Sequence, residues 1–568
     1  MKKQNLLFAF SILISTIYSQ QFQWAKAEGK YAYDYGYGAV TDNSGNLYVA
    51  GKYEETGAVF STTTVPCAGN HDGFLVKYAP NGDLTWINTF GGPNGDYVEA
   101  VYTDKTNYVY ISGEIESATG NTPISFPGST VVLTCVMDND IVFAKYDLNG
   151  TLIWARSEGS SNSEKGLGIA ADNSGNVYVC GYYTNTVTIN GTTHVGPGGG
   201  QGGREIYVAK YDQNGVFQWF RDAGSVGRDE AKAVRCDGNG NVYVCGMYSK
   251  NCTFGSQTLS TYNNTSYWDA FLAKYDTNGN LQWVKTGGGD VDDGAWSLVV
   301  DNQNSVYISG EFAAYAQFSG SAITSAGEAD SYVAKYNASG DLQWIKRGGS
   351  NKVDRARGMG TDGTNIFITG QYGGTATFGG AAPITAVDTS DIYIAALDNN
   401  GAFKWAATIG GKADTVETLG YESGNAVAAY SSGTNGAVYA TGGLLDGGTF
   451  GAISVPKNGT RTDAFVTKLT WDPGMPGLPE GINSYANNSN VSFYPNPGNG
   501  KYTITSAGTS GSGLSAEIYN CVGMLVKTIG LNNSGETAID LTAYPAGIYL
   551  VQVREGDKVV YRQKVIQK

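Results

Sequence analysis

One alternation of apolar and polar positions recurs along most of the chain. The phrases "GNLYVAG" (Gly45), "YVYISG" (Tyr108), "GNVYVCG" (Gly175 and Gly240), "SVYISG" (Ser305), "NIFITG" (Asn365) and "AVYATG" (Ala437) alternate with period two. Rich in Val, Tyr and Ile and bounded by Gly and Asn, they predict strands. A second strand phrase follows each: "DGFLVKY" (Asp72), "DIVFAKY" (Asp140), "EIYVAKY" (Glu205), "DAFLAKY" (Asp269), "DSYVAKY" (Asp330), "DIYIAAL" (Asp391) and "DAFVTKL" (Asp463). Trp24, Trp86, Trp154, Trp219, Trp283, Trp344 and Trp405 recur every 61 to 68 residues. Asn-Gly at Asn81, Asn149, Asn214, Asn278 and Asn400, with Ser-Gly at Ser339, joins the second phrase to the Trp strand and predicts a hairpin there. With a small-residue strand leading, each repeat is a four-stranded antiparallel unit.

Seven such units without helices predict an all-β, seven-bladed β-propeller over residues 21–471. The seventh repeat, "DAFVTKLTWDPG" from Asp463, lacks both the Asn-Gly turn and the Trp strand, while the chain begins with "QFQW" from Gln21. The N-terminal strand is therefore expected to pair with the last repeat and close the circle, which removes unpaired edges. In "GNVYVxG" and "KYDxNGxLxW" the repeats resemble the seven-bladed (SBBP-type) propeller repeats common in exported bacterial proteins. That family is named for a fold, not for a reaction.

Residues 1–20 read as a secretory leader, since Lys2 and Lys3 precede the apolar run Leu6–Ile14, which is too short to span a bilayer. Residues 472–490, dense in Pro, Gly and Asn, read as a linker. Residues 491–568 alternate as short strands and predict a small antiparallel β-sandwich. This module resembles the type A C-terminal sorting domain of type IX secretion cargo, through Tyr494, Pro495, Asn496, Pro497 and Gly500, then Tyr519 to Gly523, then Gly547 and Tyr549. The resemblance implies type IX secretion machinery as a partner, with delivery to the outer cell surface or the medium. The module carries +2 in a chain of −14, which fits a partner of its own.

Acidity argues against nucleic acid as a ligand, and no Lys/Arg cluster reverses it locally. Seven cysteines cannot be the main source of stability in a chain of 568 residues. Cys180 and Cys245 occupy a repeat position filled elsewhere by Ala, Ser or Thr, a small packing slot. Cys67 and Cys135 each fall five residues before a repeat acid, where a bridge between them is one alternative.

Two acids recur in the repeats. Asp34, Asp96, Glu164, Asp229, Asp293 and Asp354 stand ten residues after a Trp and Asp414 nine, while a second acid opens every third strand. Both sets are expected at one channel mouth. Clustered carboxylates could hold a cation, calcium being the one such oxygen donors suit. Alternatively each accepts backbone N–H groups in the Gly-Gly turn beside it and locks neighbouring units, which their presence in every repeat favours. The connections between second and third strands vary most, and recognition commonly lives in variable loops. There Tyr262, Tyr267 and Trp268 could stack on a sugar or a peptide. His71 and His194 occupy unrelated loops, no catalytic motif is visible, and no resident cofactor or metal set is assigned. The expectation is a surface binding or adhesion module for a glycan or protein. A surface hydrolase of glycosides or peptides and a structural envelope component are the alternatives.

Overall fold

The computed structural model describes residues 20–29, 33–54, 57–198, 203–387, 389–410, 422–432, 435–445, 447–456, 461–471, 491–494, 499–506, 514–520, 525–531, 535–545, 547–555 and 558–567. Residues 1–19 of the leader, the linker, Asp414 and Pro495 to Pro497 lie outside them. The described residues are all-β, with one short 3-10 turn at Tyr262–Asn264. Two compact units result, Met1–Met475 and Pro476–Lys568.

In the larger unit a four-stranded antiparallel meander is repeated seven times. Tyr35–Thr41, Leu47–Glu54, His71–Tyr78 and Leu84–Phe90 form the first. Later meanders lead with Tyr97–Thr103, Glu164–Ala171, Glu230–Cys236, Gly294–Val300, Arg355–Thr361 and Ser423–Ser432. The seventh takes its fourth strand from the start of the chain, Gln20–Glu28 pairing with Thr462–Trp471. Each leading strand packs beside the next, and Ser423–Ser432 packs beside Tyr35–Thr41.

Local chemistry explains the regularity. In the hairpins only the glycine takes positive φ (Gly82 at 91°, Gly279 at 78°), so the turns rest on the glycine and not on the Asn before it. Each turn then receives its neighbour's Trp. Trp219 Nε1 and Lys210 Nζ both donate to the Thr277 carbonyl, at 3.2 and 2.9 Å. Trp283 and Lys274 converge likewise on the Ala338 carbonyl, at 3.3 and 2.9 Å. The sixth unit breaks the rule twice, since Ala396 replaces the Lys and the seventh unit has no Asn-Gly turn to receive it. Trp405 Nε1 accordingly has no hydrogen-bond partner among the described residues.

The connections between second and third strands, expected as variable loops, instead carry a recurrent short hairpin. Examples are Asn251–Phe254 with Gln257–Ser260 and Gly448–Phe450 with Ile453–Val455. An inward aromatic or Ile (Phe60, Ile124, Ile189, Phe254, Phe318, Phe378, Phe450) is buried in each. Four of these hairpins pair onto the last strand of the preceding unit, through Ala223 and Phe254, Gly287 and Phe318, Gly348 and Phe378, and Ile409 and Phe450. The first unit's hairpin does the same to the N-terminal strand through Val59 and Gly29. Apolar clusters are likewise shared between neighbours. One joins Leu47, Val49 and Phe74 to Tyr439 and Val466 of the seventh unit.

The smaller unit is two antiparallel sheets. One contains Val491–Tyr494, Lys501–Ser506 and Gly535–Asp540, and the other Leu525–Gly530, Leu514–Asn520, Gly547–Glu555 and Lys558–Gln567. Tyr502, Ile504 and Ile539 meet Ile518, Val551 and Val565 in its core. All described cysteines are free thiols, so the bridge entertained between Cys67 and Cys135 is not formed. Cys67 Sγ donates instead to the Gly69 carbonyl and Cys135 Sγ to that of Ile115, each at 3.2 Å.

Candidate functional site

The acids Asp34, Asp96, Glu164, Asp229, Asp293 and Asp354 are at most 2% exposed. Asp293 accepts the Gly289 N–H at 2.6 Å and the Ala313 N–H at 3.0 Å; Asp229 accepts those of Ser225 and Ser249, at 2.6 and 2.8 Å. For Asp293 one donor lies on the last strand of the unit before and the other on the acid's own second strand; for Asp229 the first donor, Ser225, stands one residue past that strand, so both carboxyls bridge two units. Burial pushes Glu164 up to about 9, Asp293 to about 8 and Asp96 to about 7.

Each junction also holds the third-strand acid of the preceding unit. Asp269 accepts the Tyr262 N–H through Oδ2 at 2.7 Å, while its buried Oδ1 has no hydrogen-bond partner among the described residues. Asp72, Asp140, Glu205 and Asp330 share that arrangement. A glycine roofs each one (Gly91, Gly159, Gly224, Gly288, Gly349), where a Cβ would fall on the carboxylate. Burial raises Asp140, Glu205 and Asp269 to about 7, and for Glu205 the Asp229 charge adds to it. Among the described residues no three His, Cys, Asp or Glu side chains are placed to hold a metal ion.

Of the loop aromatics, Tyr262 is half-buried against Tyr315, with ring centroids 6.1 Å apart. Tyr267 is exposed and Trp268 half-buried. Tyr262 and Tyr267 lie on one connection, and Trp268 opens the strand that follows it.

What the unit does enclose is a cavity of about 240 Å³ lined by the leading strands of all seven meanders. Each leading strand carries a β-bulge at the same place. Gly36 pairs with Gly51 and Gly38 with Ala50, leaving Tyr37 between them unpaired. The same bulge singles out Glu99, Leu167, Lys232, Trp296, Arg357 and Asn425. Small flanking residues permit it, and it also explains the last glycine of the "YVxG" phrase. A Cβ on Gly51, Gly246 or Gly370 would run into the carbonyl of Tyr35, Glu230 or Arg355. Bulges re-aim side chains, and here all seven bulged residues line the cavity.

The ring they make is chemically uneven. In three successive units Lys232 Nζ lies 4.7 Å and the Arg357 guanidinium 5.4 Å from the Trp296 ring centroid, within cation–π range. Glu230 pairs with Lys232 and also with Arg204. Trp296 Nε1 and Arg357 Nε are buried and lack a hydrogen-bond partner among the described residues. Asn425 Nδ2 donates to the Gly36 carbonyl at 3.0 Å, so its side-chain oxygen stays available as an acceptor. Burial first, and then the Glu99 charge, hold the Tyr37 phenol protonated well above its ordinary range. This ring was not singled out from the sequence, although a signal exists. Six of its members stand thirteen residues after a repeat Trp, and Asn425 stands twenty after Trp405.

In the smaller unit Tyr494 is exposed and its hydroxyl donates to Glu536 at 2.8 Å. Tyr549 is buried, with its hydroxyl on the Pro545 carbonyl at 2.7 Å, and Gly500 takes φ of 83°. Residues 492–568 match the family described as a secretion system C-terminal sorting domain. That tail indicates export by type IX secretion to the cell surface or the extracellular space. No described helix is long and apolar enough to cross a membrane.

Among relatives, the chain is 29% identical over 245 residues, 43% of its length, to the regulatory protein FlaEY of Caulobacter vibrioides. It is 26% identical over 241 residues, 36% of its length, to an uncharacterized WD repeat-containing protein of Acanthamoeba polyphaga mimivirus. The matches span only 24% and 17% of those proteins' own lengths. A crystal structure of puromycin hydrolase overlaps 84% of this chain and 58% of its own at 11% identity and a TM-score of 0.32, too weak an overlap to bear on fold or chemistry.

Proposed function

We propose that residues 21–471 form a seven-bladed β-propeller closed by the N-terminal strand, and that it acts at or beyond the cell surface as a ligand-binding module. Support for the ring comes from the pairing of Gln20–Glu28 with Thr462–Trp471 and from the packing of the seventh leading strand beside the first. The binding reading rests on one observation above all. Every repeat builds the same bulge and then places a different residue on it, facing one shared cavity. A bulge residue serving only the scaffold would be expected to recur, as the Trp, the Lys and the junction acids do. The exposed hairpins around the ring are a further surface for adhesion to a glycan or a matrix protein.

The test is to probe glycan and matrix-protein arrays with the purified chain, with and without chelator, beside Trp296→Ala. Retained hits for the parent that disappear in the variant support the reading. Absence of any hit, or hits indifferent to Trp296, contradicts the cavity as the ligand site.

A further inference from the structure

A second cavity, of about 530 Å³, lies between the first and second units, and one departure from the repeat builds it. Its described lining and that of the central cavity have no residue in common. Among the described hairpins five turn on two residues, whereas that of the second unit, Thr122–Ser125 with Val132–Cys135, turns on six. Phe126 to Thr130 of this longer turn form one wall. Asn88 and Thr89 of the first unit's last strand form another, and the Asn-Gly turn from Asn149 to Leu152 a third. The walls are tied to each other by the protein itself. Gly91 and Ser125 exchange both backbone hydrogen bonds at 3.2 Å, Asn88 Nδ2 donates to the Gly150 carbonyl at 2.6 Å, and Phe126 stacks on Phe90 with ring centroids 5.2 Å apart.

The chemistry of the walls is neutral. None of the described lining residues carries a charged side chain, in a chain with 37 basic and 51 acidic residues. Asp147 beside them is spent on the Asn149 and Thr151 N–H groups, at 2.9 and 2.8 Å. Ser129, Thr130, Asn149 and Thr151, half-buried to exposed, bring hydroxyl and amide groups that both donate and accept. Phe126, Tyr146 and Leu152 add apolar surface. The Tyr78 and Tyr211 hydroxyls, at the repeat position of Tyr146, donate to Glu28 and Glu158, at 2.9 and 3.5 Å, acids four residues after a Trp. Phe90 stands there for Tyr146, whose hydroxyl therefore has no such acceptor.

We propose that this cavity holds a neutral sugar, one or two rings long, independently of what the central cavity takes. Sugar hydroxyls donate and accept as the lining groups do, and the volume falls within the range of about 300–1,000 Å³ of ligand sites. A charged ligand would be desolvated here without a partner. Between the ties at Asn88 and Gly91 the strand edge runs for three residues, about 10 Å. An added peptide strand pairs over about five or six residues and does not fit that span.

Ligand-detected NMR titration of the full chain tests this with cellobiose, maltose, mannobiose and galactobiose, beside cellobiouronate and a blocked hexapeptide of alternating Thr and Val. At least one neutral disaccharide should bind, about ten-fold or more tightly than the uronate and the peptide. Thr130→Glu puts a charge on an exposed wall and should abolish that binding. The double variant Asn149→Ala, Thr151→Val should weaken it about ten-fold or more, two hydrogen bonds being lost. Both variants should keep the parent's melting temperature, since the turn rests on Gly150. Trp296→Ala should bind the disaccharide as the parent does. No binding by any of the four disaccharides overturns the proposal, and so does equal or tighter binding of the uronate or the peptide. Binding indifferent to either wall variant overturns it as well, and loss of that same binding in Trp296→Ala would place the sugar in the central cavity instead.

Discussion

Trp24 lies opposite Lys468, the register in which Trp283 lies opposite Lys274, although the first pair joins residues from the two ends of the larger unit. Trp24 Nε1 and Lys468 Nζ both donate to the Pro80 carbonyl, at 3.3 and 2.8 Å, in the first unit's hairpin turn. The closing contact thus reproduces the interior ones atom for atom. Lys468→Met and Lys274→Met should each cost about 1 kcal/mol, a half-buried charged hydrogen bond, in urea unfolding. A neutral Lys468→Met beside a costly Lys274→Met would contradict the equivalence.

Buried acids at the junctions make stability depend on pH. Their folded pKa values lie above the unfolded ones, about 9 for Glu164, 8 for Asp293 and 7 for Asp96, Asp140, Glu205 and Asp269, against 3.8 to 4.5. The folded chain therefore holds more protons between those limits. This contribution to stability is complete below about pH 4 and is lost as pH rises through the folded values. The thermal midpoint should fall steadily from pH 5 to pH 9. Asp269→Asn, which keeps an oxygen for the Tyr262 N–H, should lose less than the parent over that range. A midpoint that rises toward pH 9 would contradict the assignment.

The roofing glycines should tolerate no side chain. Gly288→Ala places its Cβ on the Asp269 carboxylate and should cost about 2 kcal/mol through overpacking. Adding Asp269→Ala should recover part of that loss, measured as a coupling in denaturant unfolding. Strict additivity would separate the two residues.

How much of this was legible in the sequence follows from where each residue's job is done. The Trp, the hairpin glycine and the Lys-Tyr phrase act within or next to one repeat, so their spacing alone predicted the meander and the closing strand. The short hairpins around Phe254, Phe318 and Phe378 escaped notice because four residues offer too few alternations to register as strands. The junction acids were visible as a period, but their burial arises only when two units meet. The cavity ring was hidden for a different reason. A comparison of repeats rewards sameness, and Tyr37, Glu99, Leu167, Lys232, Trp296, Arg357 and Asn425 differ from unit to unit.

Cavity residues should cost little stability. Arg357 Nε is buried without a partner, so Arg357→Met removes a desolvated group and should leave the melting temperature unchanged or raise it. A loss as large as that of a core truncation, about 2 kcal/mol or more, would make Arg357 part of the scaffold.

The cysteines give a simpler check. Thiol-specific alkylation of the unfolded, unreduced protein should label Cys67, Cys135, Cys180, Cys236, Cys245 and Cys252. A peptide linking Cys67 to Cys135 would contradict the free thiols.

Hydrogen exchange along Gln20–Glu28 tests ring closure most directly, because a terminal strand left alone exchanges within seconds while one paired along its length is protected with its partner. Because Gln20–Glu28 is the outer strand of its sheet, its pairing with Thr462–Trp471 predicts that the alternate amides facing that strand are protected and open together with it on unfolding. Fast exchange of Gln20–Glu28 beside a protected Thr462–Trp471 would contradict it.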